Sequence, residues 1–199
     1  MCSRFELKLD PTAAVGRFQL RVPPPWPNSA EIRPTDMALV IGGGAGRLLR
    51  WGLSVDWDRR PLINARAETL DQRLAFRRLL DRRVLVPATA WWEWTAAPDG
   101  KAKTRMRLAR ADGAPVALAG VVDGDTFVIV TCAPAPCIAH VHDRMPAVLP
   151  AEAEGAWADP AVPFDRVADA LTPYAGELTA VPEPAPVPSK PRPAQGELF

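Results

Sequence analysis

Five segments in the middle of this chain leave little choice of fold class. Val84 to Val86, Trp91 to Thr95, Thr104 to Leu108, Val116 to Val122 and Thr126 to Cys132 are rich in β-branched and aromatic residues and bounded by turn formers, so they read as successive strands. Asp123-Gly124 supplies hairpin chemistry between the last two. The centre of the molecule is therefore mostly β. With 199 residues, 48% of them hydrophobic, the chain can bury one substantial core, and a single domain is the working count.

The flanks carry weaker signals. Asp10-Pro11 places a capping residue before a proline at the first helical position and predicts a short helix over residues 11 to 18. Five prolines between Arg21 and Pro34 predict an irregular stretch. Met37 to Ile41, the glycines from Gly42 to Gly46, and Leu48 to Val55 read as strand, turn and strand; no GK[ST] ending follows to make those glycines a phosphate cradle. Leu70, Leu74, Leu79 and Leu80 recur at near-helical spacing against Arg73, Arg77 and Arg78, which predicts an amphipathic helix over Glu68 to Leu80 with a basic face. Two more short helices are expected at Ala151 to Trp157 and Phe164 to Leu171. Residues 1 to 182 form the expected domain, and the proline-rich stretch from 183 to 199 reads as an extended, disordered tail.

No apolar run reaches the roughly 20 residues of a membrane-spanning helix, and the charged opening MCSRFELKLD lacks the pattern of an export signal, so a cytoplasmic protein is expected. A net charge of +1 gives no global attraction to nucleic acid, and any grip on it must be local. Three cysteines, Cys2, Cys132 and Cys137, are an odd number in a chain without the pattern of an export signal, which argues against a disulfide framework.

Cys2 has the most distinctive chemistry. Removal of Met1 would place a free α-amine and a thiol on adjacent carbons. With a pKa of about 7.7–8.0, roughly a third of that amine is neutral near pH 7.5, against on the order of 0.1% of a lysine. Faced with an aldehyde, the amine can form a Schiff base, and the thiol can close a thiazolidine ring that outlasts the imine. A recurrent aldehyde in biology is the ring-opened sugar of a DNA abasic site.

Five blocks, in order, carry a resemblance: MCSRF at the start, RWGL at Arg50 to Leu53, INARAET at Ile63 to Thr69, WWEW at Trp91 to Trp94, and HDRMPAVLP at His142 to Pro150. Together they resemble the SRAP (SOS response-associated peptidase) family of abasic-site-processing proteins. Ser3 stands where that family usually has glycine, and Trp91-Trp92 where it more often has Phe-Tyr. The resemblance implies an α+β fold, a single compact domain around a curved, mostly antiparallel, barrel-like sheet with short flanking helices. It implies covalent joining of Cys2 to abasic single-stranded DNA during the DNA damage response, with lyase-like chemistry, N-terminal autopeptidase-type processing, no cofactor, and action at the nucleoid and replication fork. Asn64 would orient the terminal amine, and Glu93 and His142 would be the acid–base pair. Arg4, Arg66 and Arg144 would hold phosphates, Trp51 would stack against the DNA, and Thr131 would contact the lesion.

Two rival chemistries use overlapping residues. Cys2, His142 and Asn64 could instead form a cysteine peptidase or amidohydrolase site. Cys132, Cys137, His140 and His142 crowd into eleven positions and could hold zinc, although the spacing is not a common finger pattern. Separately, Gln195, Leu198 and Phe199 in the closing QGELF resemble the QxxLF peptides that dock on the bacterial sliding clamp.

Overall fold

The computed structural model describes residues 2–27, 30–96 and 103–183. The chain opens with β1 (Phe5–Glu6), α1 (Pro11–Phe18), β2 (Glu31–Ile32), β3 (Met37–Gly42) and β4 (Ala45–Trp51). It continues through β5 (Leu53–Val55), β6 (Asp58–Leu62), β7 (Asn64–Arg66), α2 (Leu74–Arg77), β8 (Arg83–Ala88) and β9 (Ala90–Ala96). The last elements are β10 (Lys103–Arg110), β11 (Val116–Asp123), β12 (Thr126–Cys132), β13 (Met145–Pro146), β14 (Val148–Leu149), α3 (Ala151–Ala158) and β15 (Leu178–Pro182).

These elements form one compact, mostly β domain around a closed five-stranded barrel. Strand β4 pairs with β3, β3 with β8, β8 with β11 and β11 with β12, all antiparallel; β12 returns to β4 in parallel and shuts the ring. Every residue of β8 is buried, as are all but the last of β11. This is why both read as unbroken apolar runs rather than alternating ones: one face fills the barrel and the other is covered. The β3–β4 hairpin turns on Gly43 and Gly44, with φ of 60° and 72°, the pair of left-handed residues that a two-residue turn needs. A second, antiparallel sheet, in the order β15-β10-β9-β1-β2, carries the amino-terminal segment as an inner strand.

The helix at residues 11 to 18 forms as expected, and Asp10 caps it by accepting from the amides of Thr12 and Ala13. The helix expected at Ala151 to Trp157 also forms, as α3; the other two predicted helices change. In place of a helix over Glu68 to Leu80 there is a 3-10 turn, Ala67–Thr69, followed by the four-residue α2. Leu70, Phe76 and Leu79 point into the core while Leu74 is 78% exposed, so the leucines do not share one face. The chain also extends at Arg73 (ψ 125°) and breaks any continuous helix. Phe164 to Leu171 likewise resolves into two 3-10 turns, Phe164–Arg166 and Ala168–Ala170, interrupted at Val167. Within the proline-rich stretch, β2 is a short strand that pairs with β1.

Candidate active site

The site is assembled where four distant segments meet. Phe5 pairs with Trp91 and Glu6 with Ala90; continuing that antiparallel register by two residues brings Ser3 opposite Glu93. The Trp92 amide donates to the Arg4 carbonyl at 3.0 Å. From the barrel side, β7 lies parallel to β12 with Asn64 opposite Ile129, and the Asn64 Nδ2 donates to the Cys2 carbonyl at 2.7 Å. The buried Asn64 Oδ1 has no hydrogen-bond partner among the described residues, which leaves an acceptor beside the start of the chain. The loop after Val141 delivers His142, whose Nε2 lies 3.8 Å from a Glu93 carboxylate oxygen. Ser3, Arg4, Glu93, Trp94, Lys103 and His142 line an open cleft of about 470 Å³.

Burial sets the electrostatics. The Glu93 side chain is 3% exposed, and desolvation raises its pKa from 4.5 to about 7, the direction expected when a carboxylate loses water. Cys2 is fully buried; desolvation, reinforced by the charge of Glu93, pushes its thiol well above the ordinary range. Its Sγ–H points to the Arg4 carbonyl at 3.5 Å. Such a thiol stays protonated at neutral pH and is a poor first nucleophile. Desolvation also lowers the pKa of His142. The Arg144 amide donates to His142 Nδ1 at 3.0 Å, which favours a neutral ring with its proton on Nε2, the nitrogen facing Glu93, while Asp143 Oδ1, 2.8 Å from the same Nδ1, pulls the other way.

The structure thus brings Cys2, Asn64, Glu93 and His142 together, with Arg4 on the rim. Arg4 is partly exposed and donates to Glu31 at 2.7 Å. Glu31 also receives Arg105, whose guanidinium lies 4.2 Å from the Trp92 ring centroid. Arg66 is exposed at the end of β7. Arg144 grips Glu68 through two bonds of 2.7 and 2.9 Å and reaches the Thr131 carbonyl at 2.6 Å.

Two expectations need correction. Trp51 is fully buried; its Nε1 donates to the Ile63 carbonyl at 2.8 Å, and its ring packs against Phe5 and Phe127. It is a core residue with no face to offer DNA. Thr131 is also fully buried, its hydroxyl directed at the Ala65 carbonyl, because it lies on β12 between β7 and β13. Among the described residues the exposed aromatic is Trp57, 72% accessible at the turn of the β5–β6 hairpin, two residues before Arg59 and three before Arg60. Sequence reading missed it because its block carries no periodicity; its signal was a turn position flanked by Asp56 and Asp58. Lys103 and Trp94 in the cleft, and the carboxylates Glu31 and Glu68, were missed as well.

The four residues considered for zinc do not converge. Cys132 is buried with its thiol on the Thr172 carbonyl, Cys137 is exposed, and His142 faces Glu93. Among the described residues no group of three or more His, Cys, Asp or Glu side chains is placed to hold a metal, and no helix is long and apolar enough to cross a membrane. Gln195, Leu198 and Phe199 lie outside the described residues.

Comparison with known proteins gives a consistent picture. A family model described as SOS response associated peptidase (SRAP) matches residues 1–188. The chain is 32% identical over 182 residues to the abasic site processing protein YoaM of Bacillus subtilis, a match covering 80% of each chain. It is 35% identical over 117 residues to the abasic site processing protein YedK of Escherichia coli, covering 54% of this chain and 52% of that one. Among solved structures, a protein from Bordetella bronchiseptica superimposes with a TM-score of 0.80 at 24% identity, over 92% of this chain and all of that one.

Proposed function

This chain belongs to the SOS response associated peptidase family, and from that premise we propose that it processes abasic sites in single-stranded DNA by joining them covalently to Cys2 once Met1 is removed. The observation that carries this reading is that a cleft lined by Glu93 and His142 lies at the start of the chain, where Ser3 and Arg4 follow a buried Cys2 whose carbonyl is held by Asn64.

The steps follow from those groups. Ring opening needs a base to take the proton of the sugar's C1 hydroxyl while the ring oxygen gains one. A carboxyl with a pKa of about 7 is present in both states near neutrality and serves either role. The freed Cys2 amine, held by the vacant Asn64 oxygen, attacks the aldehyde carbon, forming a C–N bond and a carbinolamine. Protonation of its hydroxyl by Glu93 or the Nε2–H of His142 lets water leave and gives the imine. The thiol then adds to the same carbon, its proton ending on nitrogen. The net change is aldehyde plus aminothiol to thiazolidine plus one water, so no cofactor is required by the balance.

A cysteine peptidase would need a thiolate at the outset, and the upward shift of the buried Cys2 thiol argues for attack by the amine first. Positive charge for the DNA comes from Arg4 and Arg66, and stacking falls to Trp57 rather than Trp51. The segment Gln195–Phe199 adds a second proposed contact, with the sliding clamp at the replication fork; deleting Leu198 and Phe199 should abolish clamp capture and leave crosslinking unchanged.

The test is incubation with abasic single-stranded DNA followed by mass measurement of the amino-terminal peptide. A heat-stable adduct on Cys2, with Met1 absent and one water lost, is expected. Cys2→Ala and a variant retaining Met1 should give none. Undiminished adduct from Cys2→Ala would overturn the proposal.

A further inference from the structure

The strongest unassigned arrangement is the ion pair that ties the turn after β7 to the His142 loop. Glu68 sits in the 3-10 turn that directly follows Asn64–Arg66. Its two carboxylate oxygens accept from both terminal nitrogens of Arg144 at 2.7 and 2.9 Å, the parallel two-bond geometry that fixes a guanidinium in plane. Arg144 Nη2 is held again by the Thr131 carbonyl at 2.6 Å. The Arg144 side chain is only 14% exposed although Glu68 is 53% exposed, so the carboxylate covers the guanidinium like a cap. The backbone amide of that same Arg144 is the donor to His142 Nδ1.

We infer that Glu68 is a positioning residue for His142: by locking Arg144 against Thr131 it fixes the amide that holds the imidazole in one tautomer, with Nε2–H directed at Glu93. An imidazole free to exchange tautomers presents Nε2 as a donor only part of the time, and the nitrogen facing the reacting sugar then has the wrong proton inventory. The importance of that tautomer for the reaction rests on the function proposed above; the positioning itself does not. The charged and titratable groups around the ring are Glu93 on β9, Asp143 beside it with Oδ1 2.8 Å from Nδ1, Arg144, the chain's terminal amine, and Arg4 and Lys103 across the cleft. Of these, Asp143 favours a proton on Nδ1, so it opposes the Arg144 amide. Glu68 tips that contest through Arg144.

The experiment uses the full chain labelled with 15N-histidine. The sequence has two histidines, and His140→Gln identifies the His142 signals. At pH 8 the unaltered protein should show His142 with Nε2 protonated and Nδ1 bare. In Glu68→Ala, and more weakly in Glu68→Gln, which keeps one acceptor oxygen, the signals should move to a mixture of both tautomers. Adduct formation at pH 7 should slow about tenfold in Glu68→Ala, a part of the roughly 10²–10⁴-fold that a positioned acid–base group supplies. Because Glu68 is half exposed, both variants should keep the circular dichroism spectrum and melting temperature of the parent. A Glu68→Ala protein whose His142 retains the single Nε2–H tautomer overturns the inference. The spectra contain no DNA, so they decide it even if the unaltered protein forms no adduct.

Discussion

Replacing Glu93 with glutamine should raise stability and lower reactivity in the same protein, and the pH at which the stability gain appears is fixed by the site. In the unfolded chain the Glu93 carboxyl ionises near 4.5; in the folded protein desolvation holds it protonated up to about 7. Between those values the native state binds more protons than the unfolded one, so stability falls as pH rises through the window. Above it the wild type carries the full penalty. The difference between 4.5 and about 7, at 1.36 kcal/mol per pH unit, corresponds to about 3 kcal/mol. Glutamine has nearly the same shape and no charge to desolvate. Glu93→Gln should therefore match the wild type at pH 4 and exceed it by about 3 kcal/mol at pH 8, or about 6–12 °C in melting temperature for a chain of this size. Urea and thermal unfolding of both proteins at both pH values measure this, and comparing the two gaps cancels the titrating groups that do not interact with Glu93. Adduct formation should meanwhile slow, by up to roughly the 10²–10⁴-fold that an acid–base group contributes. A stability gap at pH 8 no larger than that at pH 4 would refute the idea that the carboxyl is held neutral by burial.

Trp51 and Trp57 should separate cleanly by assay. Trp51→Ala is expected to lose about 3–5 kcal/mol of stability through core truncation, whereas Trp57→Ala should keep its stability and lose about 1–3 kcal/mol of single-stranded DNA affinity; equal affinity losses would return Trp51 to the DNA surface. Arg66→Ala should weaken DNA binding and reduce by about one the slope of log affinity against log salt, measured by titration at several ionic strengths. An unchanged slope removes Arg66 from the phosphate contacts.

The strands of the barrel were legible because burial on both faces writes itself as Val/Ile/Leu runs, and β8, β11 and β12 fall close to where those runs lie. The two-residue strands β1, β2, β13 and β14 were not, since no periodicity fits in two residues, and β15, at the end of the expected domain, carried no strand signal of its own. The Glu68 to Leu80 helix failed because leucines at helical spacing also occur in a chain that turns, as Leu70 and Leu79 bury themselves from different turns. For the site, Cys2 drew notice by its chemistry but took its weight from the ordered blocks, and Asn64, Glu93 and His142 rested on those blocks entirely. Their proximity depends on strand register across two sheets, which no local pattern encodes. The same gap explains the tryptophan exchange: Trp51 and Trp57 are alike in composition, and only the barrel decides which one is inside.

The position of β1 has a mechanical consequence. Cys2 leads directly into a strand flanked on both sides, by β2 through Phe5–Ile32 and by β9 through Phe5–Trp91, with further bonds from Leu7 to Ala30 and from Thr89 to Glu6. A DNA strand attached at Cys2 and pulled by a passing motor would load those hydrogen bonds along the strand rather than peel a loose end. The load would pass to Phe5, whose ring leans on Trp51 in the barrel wall. Under tension β1 should shear out first, and the closed barrel should outlast it.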